Sequence, residues 1–188
     1  AFTSAALILH LGAEKLLLVA GAEEALDLKR SPGTLAVGEV GGRKVPGFDL
    51  GNSPAEVLAA GRALFEGRVV VQRTSAGVQG AVAAARRCDR VFLGSFLTAA
   101  ATARAIAALS PPPEVVSLVP MGLGGRVPTP DDEGCADYLE HLLTGRPYDH
   151  VATLQRIVEH EATKKFLRGD APHYPPADPI YCLQRDLL

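Results

Sequence analysis

Short apolar runs and stretches of helical periodicity alternate along this chain. Lys15 to Ala20, Thr34 to Val37, Arg68 to Gln72, Arg90 to Gly94 and Val115 to Pro120 are short, aliphatic and apolar on both faces. That is the pattern of buried parallel strands. Ala5 to Leu11, Ala22 to Lys29, Val78 to Arg87 and Thr98 to Leu109 read as helices between them, and Asp132 to Leu143 and His150 to Phe166 follow as two more. The alternation predicts an α/β fold: a layered, mainly parallel sheet with flanking helices and right-handed crossovers. Thr3-Ser4 already reads as a helix start, so the pattern predicts a first strand ahead of Ala1. Residues 1–150 are expected to form one α/β domain. Residues 151–188 are expected to pack on it as a helix and an extended, proline-spaced arm.

One stretch resists explanation as packing. Gly38 to Pro54 joins the strand at Thr34 to Val37 to a helix start, and carries Glu39, Arg43, Lys44, Asp49 and Asn52 among several glycines. A connection this long inside a compact domain is usually functional. Its end, Ser53-Pro54-Ala55-Glu56, is a capping-box pattern with proline at the first helical position. That accounts for Ser53, Pro54 and Glu56 but not for Asp49 or Asn52. Glu39, at the end of a buried strand, is costly unless paired or metal-bound. Pairing with Arg43 or Lys44 is one solution and a functional role is the other.

Other polar groups collect at the ends of the remaining strands, where open α/β sheets bind ligands. Gln72-Arg73-Thr74-Ser75-Ala76-Gly77 joins a strand to a helix, and amides at a helix N-terminus form an anion site that an arginine would strengthen. A plain helix cap by Thr74 or Ser75 is the competing explanation. The same two readings, anion site or plain cap, apply to Thr3-Ser4 and to Ser95 and Thr98, with the cap favoured. Gly122-Leu123-Gly124-Gly125-Arg126 lacks the third glycine of a dinucleotide loop. Asp131-Asp132-Glu133 suits a helix start, and is also the donor type that Mg²⁺ takes.

Composition narrows the classes. The 188 residues are 47% hydrophobic and 21% charged with a net charge of −2, so no basic field favours nucleic acid or an anionic membrane. Trp is absent, which also disfavours base stacking. No apolar run reaches the roughly 18 residues of a membrane span. Cys88, Cys135 and Cys182 are far apart and form no CxxC, as expected of reduced thiols in a cytoplasmic protein. The histidines show no zinc spacing, and no Walker or nucleophile-elbow motif is present.

Ala1 to Ala6, Gly38-Glu39-Val40-Gly41-Gly42, Gly47-Phe48-Asp49-Leu50-Gly51-Asn52-Ser53-Pro54 and Gln72 to Gly77 come in an order that resembles the 2-phosphosulfolactate phosphatase (ComB-like) family. Val91 to Thr98, Met121-Gly122 and Asp131 to Tyr138 continue the similarity, which fades after about His150. The resemblance implies an α/β, Mg²⁺-dependent phosphatase that converts 2-phospho-3-sulfolactate to 3-sulfolactate and phosphate, on a route to coenzyme M or related sulfonates. It implies a small anionic phosphoester as substrate and a homo-oligomer, taken as a dimer. Carried over by position, Asp49, Glu39 and Ser75 are the catalytic candidates. Thr3, Ser4, Asn52, Arg73 and Thr74 are the substrate-binding ones, with the Gly77 amide beside them and Arg43 or Arg126 able to meet the carboxylate or sulfonate, and Glu39, Asp49 and Asp132 would hold Mg²⁺. Ser75 or Asp49 could carry a phosphoryl group, but no activating base for either is visible in the sequence. Many family members read Thr-Thr-Thr-Asn-Gly-Thr where this chain has Gln72 to Gly77, so the alternative is a drifted homologue acting on, or only binding, a different small anionic phosphoester.

Overall fold

The computed structural model of the protein describes residues 1–188. The elements run α1 (Phe2–His10), β1 (Lys15–Leu18), α2 (Ala22–Lys29), β2 (Thr34–Val40), β3 (Arg43–Lys44), α3 (Pro54–Phe65), β4 (Val69–Arg73) and α4 (Gly77–Ala85). A 3₁₀ turn at Phe96–Thr98 leads into α5 (Ala99–Ala107), and α6 (Pro130–Thr144), α7 (His150–Glu159), α8 (Glu161–Leu167) and α9 (Ala177–Cys182) complete the chain. The fold is α/β, with a four-stranded open sheet in the order β1-β4-β2-β3. β4 lies between β1 and β2, parallel to both, with Gln72 level with Leu18 on one side and Val37 on the other. β3 is antiparallel to β2 across the two-residue turn Gly41-Gly42. Both glycines have positive φ, +59° and +81°, which this hairpin turn requires.

The period of two along the strands separates the core into layers. Leu35, Val37 and Val70 face Leu7 and Ile8 of α1 and Val57 and Phe65 of α3. Ala36 and Val71 face the other way, toward Ala25 of α2, Val45 and Phe48. A third cluster, Phe96, Ala99, Tyr138, Leu139 and Ile157, joins the 3₁₀ turn to α5, α6 and α7. α6 and α7 approach closely at Gly134, where a methyl group would stand 2.5 Å from the Thr153 side chain.

Three expectations are corrected. Arg90 to Gly94 and Val115 to Pro120 are not strands: the sheet ends at β1, and neither segment joins a ladder. Strand propensity reflects fit to a pleated, half-buried surface more than an intrinsic backbone preference. Here Phe92 is 41% exposed and Val115 79%. The helix expected over His150 to Phe166 divides at His160, whose extended backbone ends α7 and whose Nδ1 accepts the Ala162 amide that opens α8. The C-terminal arm is not extended; it folds into α9 and a return that lies against the 3₁₀ turn.

Candidate functional site

The carboxyl ends of β1, β2 and β4 converge on one constellation. Glu39, at the end of β2, turns its carboxylate toward the β4–α4 loop. Its Oε1 accepts the Ser75 amide at 2.6 Å, and its Oε2 accepts the Ser75 hydroxyl at 2.8 Å and the Gly42 amide at 2.7 Å. Ser75 Oγ in turn accepts from the Gly41 amide at 2.9 Å and from Arg73 Nη1 at 3.3 Å. Of the two solutions open to Glu39, the structure shows neither an ion pair with Arg43 nor one with Lys44; its partners are a hydroxyl and backbone amides. The sequence offered no visible partner for Ser75, and the fold places the Glu39 carboxylate against its hydroxyl from 36 residues away.

Arg73 ties the three strand ends together. Its Nε donates to the Ala20 carbonyl after β1 at 3.2 Å, and its Nη1 to the Glu39 carbonyl at 2.7 Å. The guanidinium is half-buried and has no carboxylate partner, and Nη2 is not taken up by any protein acceptor. A partly desolvated cation held only by neutral groups has charge left to offer an anion. Beside it the amides of Ala76 and Gly77 open α4 without an intrachain acceptor. Thr74 Oγ1 accepts the Val78 amide in the first turn, although the N-cap residue is Ala76, and Ser75 makes no such bond.

A second polar group lies behind the first. Gln72, fully buried, donates from Nε2 to Asn52 Oδ1 at 3.1 Å and to the Ala1 carbonyl at 3.2 Å. Because the Ala1 carbonyl can only accept, the amide cannot be turned over, and Gln72 Oε1 stays unpaired. Ser4 Oγ donates to the Asn52 carbonyl, and Thr3 is buried in the same first turn of α1. Ala1 lies against Gly77, where a methyl group would sit 2.9 Å from the Ala1 side chain. α1, α4 and the loop ending at Asn52 therefore share one floor beneath Arg73. Gln72 was not picked out from the sequence; a lone amide closing the apolar run Val69-Val70-Val71 was the available signal.

The remaining candidates are engaged in other contacts or exposed. Asp49 is a backbone clip: Oδ2 accepts the amide of fully buried Ala36 at 2.8 Å, and Oδ1 pairs with Lys29 at 2.8 Å. With Asp49 N donating to the Ala36 carbonyl and Gly38 N to Leu50, it stitches the returning loop along the free edge of β2. Asp132 opens α6 and accepts the Gly122 amide at 2.6 Å. Burial, then Asp131, pushes its carboxyl above the usual range, with the Gly122 amide pulling it back. Arg43 and Arg126 are exposed, on β3 and on the turn closed between Leu123 and Val127. No three His, Cys, Asp or Glu side chains are grouped to hold a metal. Glu39, Asp49 and Asp132 are not grouped as one donor set, and their oxygens accept from Ser75 and Gly42, from Ala36 and Lys29, and from Gly122 respectively.

Replacing Asp49 by alanine should strand the Ala36 amide in the core. The expected loss is about 1–3 kcal/mol of unfolding free energy, the usual cost of an unsatisfied buried donor. Urea denaturation checks it, and an unchanged midpoint would contradict the clip.

A family model described as 2-phosphosulpholactate phosphatase matches residues 1–172. A probable 2-phosphosulfolactate phosphatase of Thermus thermophilus is 44% identical over 152 residues, covering 79% of this chain and 62% of its own length. One from Bacillus subtilis is 31% identical over 184 residues, covering 97% and 77%. The 2-phosphosulfolactate phosphatase of Methanocaldococcus jannaschii is 31% identical over 129 residues, covering 66% and 54%. The chain spans about three-fifths of the length of the relatives from Deinococcus radiodurans and Thermus thermophilus, 58% and 62%. No helix is long and apolar enough to cross a membrane.

Proposed function

The chain belongs to the 2-phosphosulpholactate phosphatase family, and from that premise we propose that it is a phosphoric monoester hydrolase acting on 2-phospho-3-sulfolactate. The observation that carries the reading is Arg73: a half-buried guanidinium without a carboxylate partner, beside the Glu39–Ser75 pair and the open amides of α4. A phosphoryl group bound there would meet Nη2 and the Ala76 and Gly77 amides, the donors that stabilise charge developing on its oxygens. Glu39 then takes a proton from the attacking water, the water oxygen bonds to phosphorus, and the bond from phosphorus to the C2 oxygen breaks. The C2 oxygen leaves with a proton from solvent as 3-sulfolactate. Ser75 keeps the Glu39 carboxylate aligned through its hydroxyl and amide. The three carboxylates expected to hold Mg²⁺ are not grouped as one donor set, and no step is routed through a metal.

The substrate's carboxylate and sulfonate add two negative charges that need compensation. Exposed Arg43 and Arg126 are the cations this reading gives them. We place the reaction in the cytoplasm, in line with three free thiols. The product would enter synthesis of coenzyme M or a related sulfonate. We also read the protein as a homodimer, with exposed apolar side chains such as Val115, Val119 and Val151 available for cover by a second copy.

The test compares two esters. Phosphate release from 2-phosphosulfolactate should exceed that from 2-phospholactate, which lacks the sulfonate, by about 10- to 100-fold in kcat/KM, the worth of one charged contact. Equal rates would remove the sulfonate from the recognition scheme. Saturable binding of 2-phosphosulfolactate without phosphate release would favour a binding protein descended from the same family.

A further inference from the structure

The segment after residue 172 lies beyond the part of the chain that the family model matches. It is nonetheless wired into the loops that form the site. Asp178, in the first turn of α9, is only 6% exposed, and its Oδ1 accepts from Ser53 Oγ at 2.6 Å and from the Ala55 amide at 3.1 Å. Ser53 Oγ in turn accepts the Glu56 amide at 3.1 Å, so the N-terminus of α3 is capped by a serine and by a carboxylate 125 residues away. Glu56 bends back to the Gly51 amide at 3.0 Å. The whole turn from Gly51 to Glu56 is thereby fixed by three acceptors, one of them supplied by the tail. Further on, Asp186 does the same for another helix: its Oδ1 accepts the Ala100 amide at the start of α5, and its Oδ2 accepts the Tyr138 hydroxyl. The backbone amides of Asp186, Leu187 and Leu188 bond to the carbonyls of Phe96 and Leu97.

We propose that the C-terminal segment is a clamp on the site, in which Asp178 is a positioning residue that sets Asn52, and through Gln72 the Arg73 arm. The route is continuous: Asp178 to Ser53, the adjacent Asn52 to Gln72 through its Oδ1, and Gln72 to its neighbour Arg73 along β4. Asp186 anchors the far end of the same segment. The Asp178 acceptor oxygen joins two turns that are 125 residues apart in sequence. Burial raises the Asp178 carboxyl above the usual range, with Ser53 and then Ala55 pulling it back, and a buried acid is tolerated only where its acceptors are used. Small displacements of a positioning group are felt strongly in turnover, about 100-fold for roughly 1 Å.

The inference rests on the phosphatase reading for its activity half, and the experiment separates the two. Asp178→Ala and Asp178→Asn are compared with wild type in full-length chain, on 2-phosphosulfolactate, well below their melting midpoints. Asparagine keeps an oxygen for Ser53 Oγ and the Ala55 amide, so Asp178→Asn should stay within about threefold of wild-type kcat/KM, while Asp178→Ala falls about tenfold or more, chiefly in kcat. Folded Asp178→Ala with wild-type kcat and KM overturns the clamp, as does Asp178→Asn as impaired as Asp178→Ala. If Asp178→Ala does not fold, Ser53→Ala, which removes the hydroxyl between Asp178 and the turn, should show the same loss of kcat, and its failure to do so is equally adverse. Wild type that releases no phosphate from any phosphomonoester sinks the phosphatase reading instead. The clamp is then judged by hydrogen exchange: the Gly51, Ala55 and Glu56 amides should exchange faster in Asp178→Asn than in wild type, because a neutral amide is a weaker acceptor, and identical exchange overturns it.

Discussion

Alanine at position 38 is expected to unfold this protein at temperatures where the wild type is stable, and to cost activity before it does. Gly38 is the residue of β2 level with Arg73 of β4, at φ +135°, and a methyl group there would stand 1.8 Å from the Arg73 carbonyl oxygen. Nothing flexible can yield, since the obstacle is backbone. A non-glycine residue forced into that region stores about 1–3 kcal/mol, and separating the strands adds the loss of ladder hydrogen bonds, so roughly 3 kcal/mol or more is expected in total. For a domain of this size that is about 6–12 °C in melting temperature. Gly67→Ala is the control. It also has positive φ, +67°, but open space around it, and should cost only about 1–2 kcal/mol. Equal losses at the two positions would mean that the close approach of β2 to β4 is not what Gly38 permits. Because Gly38 adjoins Glu39 and faces Arg73, its replacement pulls both arms of the site apart, and turnover per folded molecule should fall as well.

The second large effect is chemical. Glu39→Gln keeps the shape and can still accept from the Ser75 amide, yet it cannot take a proton. Phosphate release should drop about 10²- to 10⁴-fold, the range for loss of a general base, with little change in melting temperature. Arg73→Lys should also lose activity, although charge is conserved. One ammonium cannot reach the Ala20 carbonyl, the Glu39 carbonyl and a phosphoryl oxygen together, whereas the guanidinium fork spans them. We expect about a 10- to 100-fold loss, shared between kcat and KM. Retained turnover in Arg73→Lys would show that the side chain is only a strut between strand ends.

Between Lys15 and Ala85 the parallel strands and their helices were legible because the strands are paired with one another, so local pattern and tertiary demand agree; the β2–β3 hairpin was not, because its two-residue β3 lies in a polar, glycine-rich stretch that reads as loop. Arg90 to Gly94 and Val115 to Pro120 have the same composition but no neighbour to pair with, and pattern alone cannot count neighbours. Ser53 was readable as a cap because its partner, the Glu56 amide, is three residues away. Asp178 was not, because its partners are more than 120 residues away and proline-rich surroundings disguise a six-residue helix. Asp49 shows the reverse error. A carboxylate in a polar, glycine-flanked loop looks available to a metal, and only the fold shows it turned to Ala36 N and Lys29. The constellation at Glu39, Arg73 and Ser75 was half legible: each residue stood out at a strand end, but their mutual bonds depend on the parallel register of β2 and β4.

We propose that Glu39, aligned by Ser75 and beside Arg73, removes the proton of the attacking water in phosphoester hydrolysis. Phosphate release from 2-phosphosulfolactate by wild type and Glu39→Gln, measured side by side on protein of matched melting temperature, tests it most directly. Turnover by the wild type with a loss of at least about 100-fold in kcat for Glu39→Gln is the predicted result. Turnover by both at the same rate would contradict it and return Glu39 to the role of a loop staple.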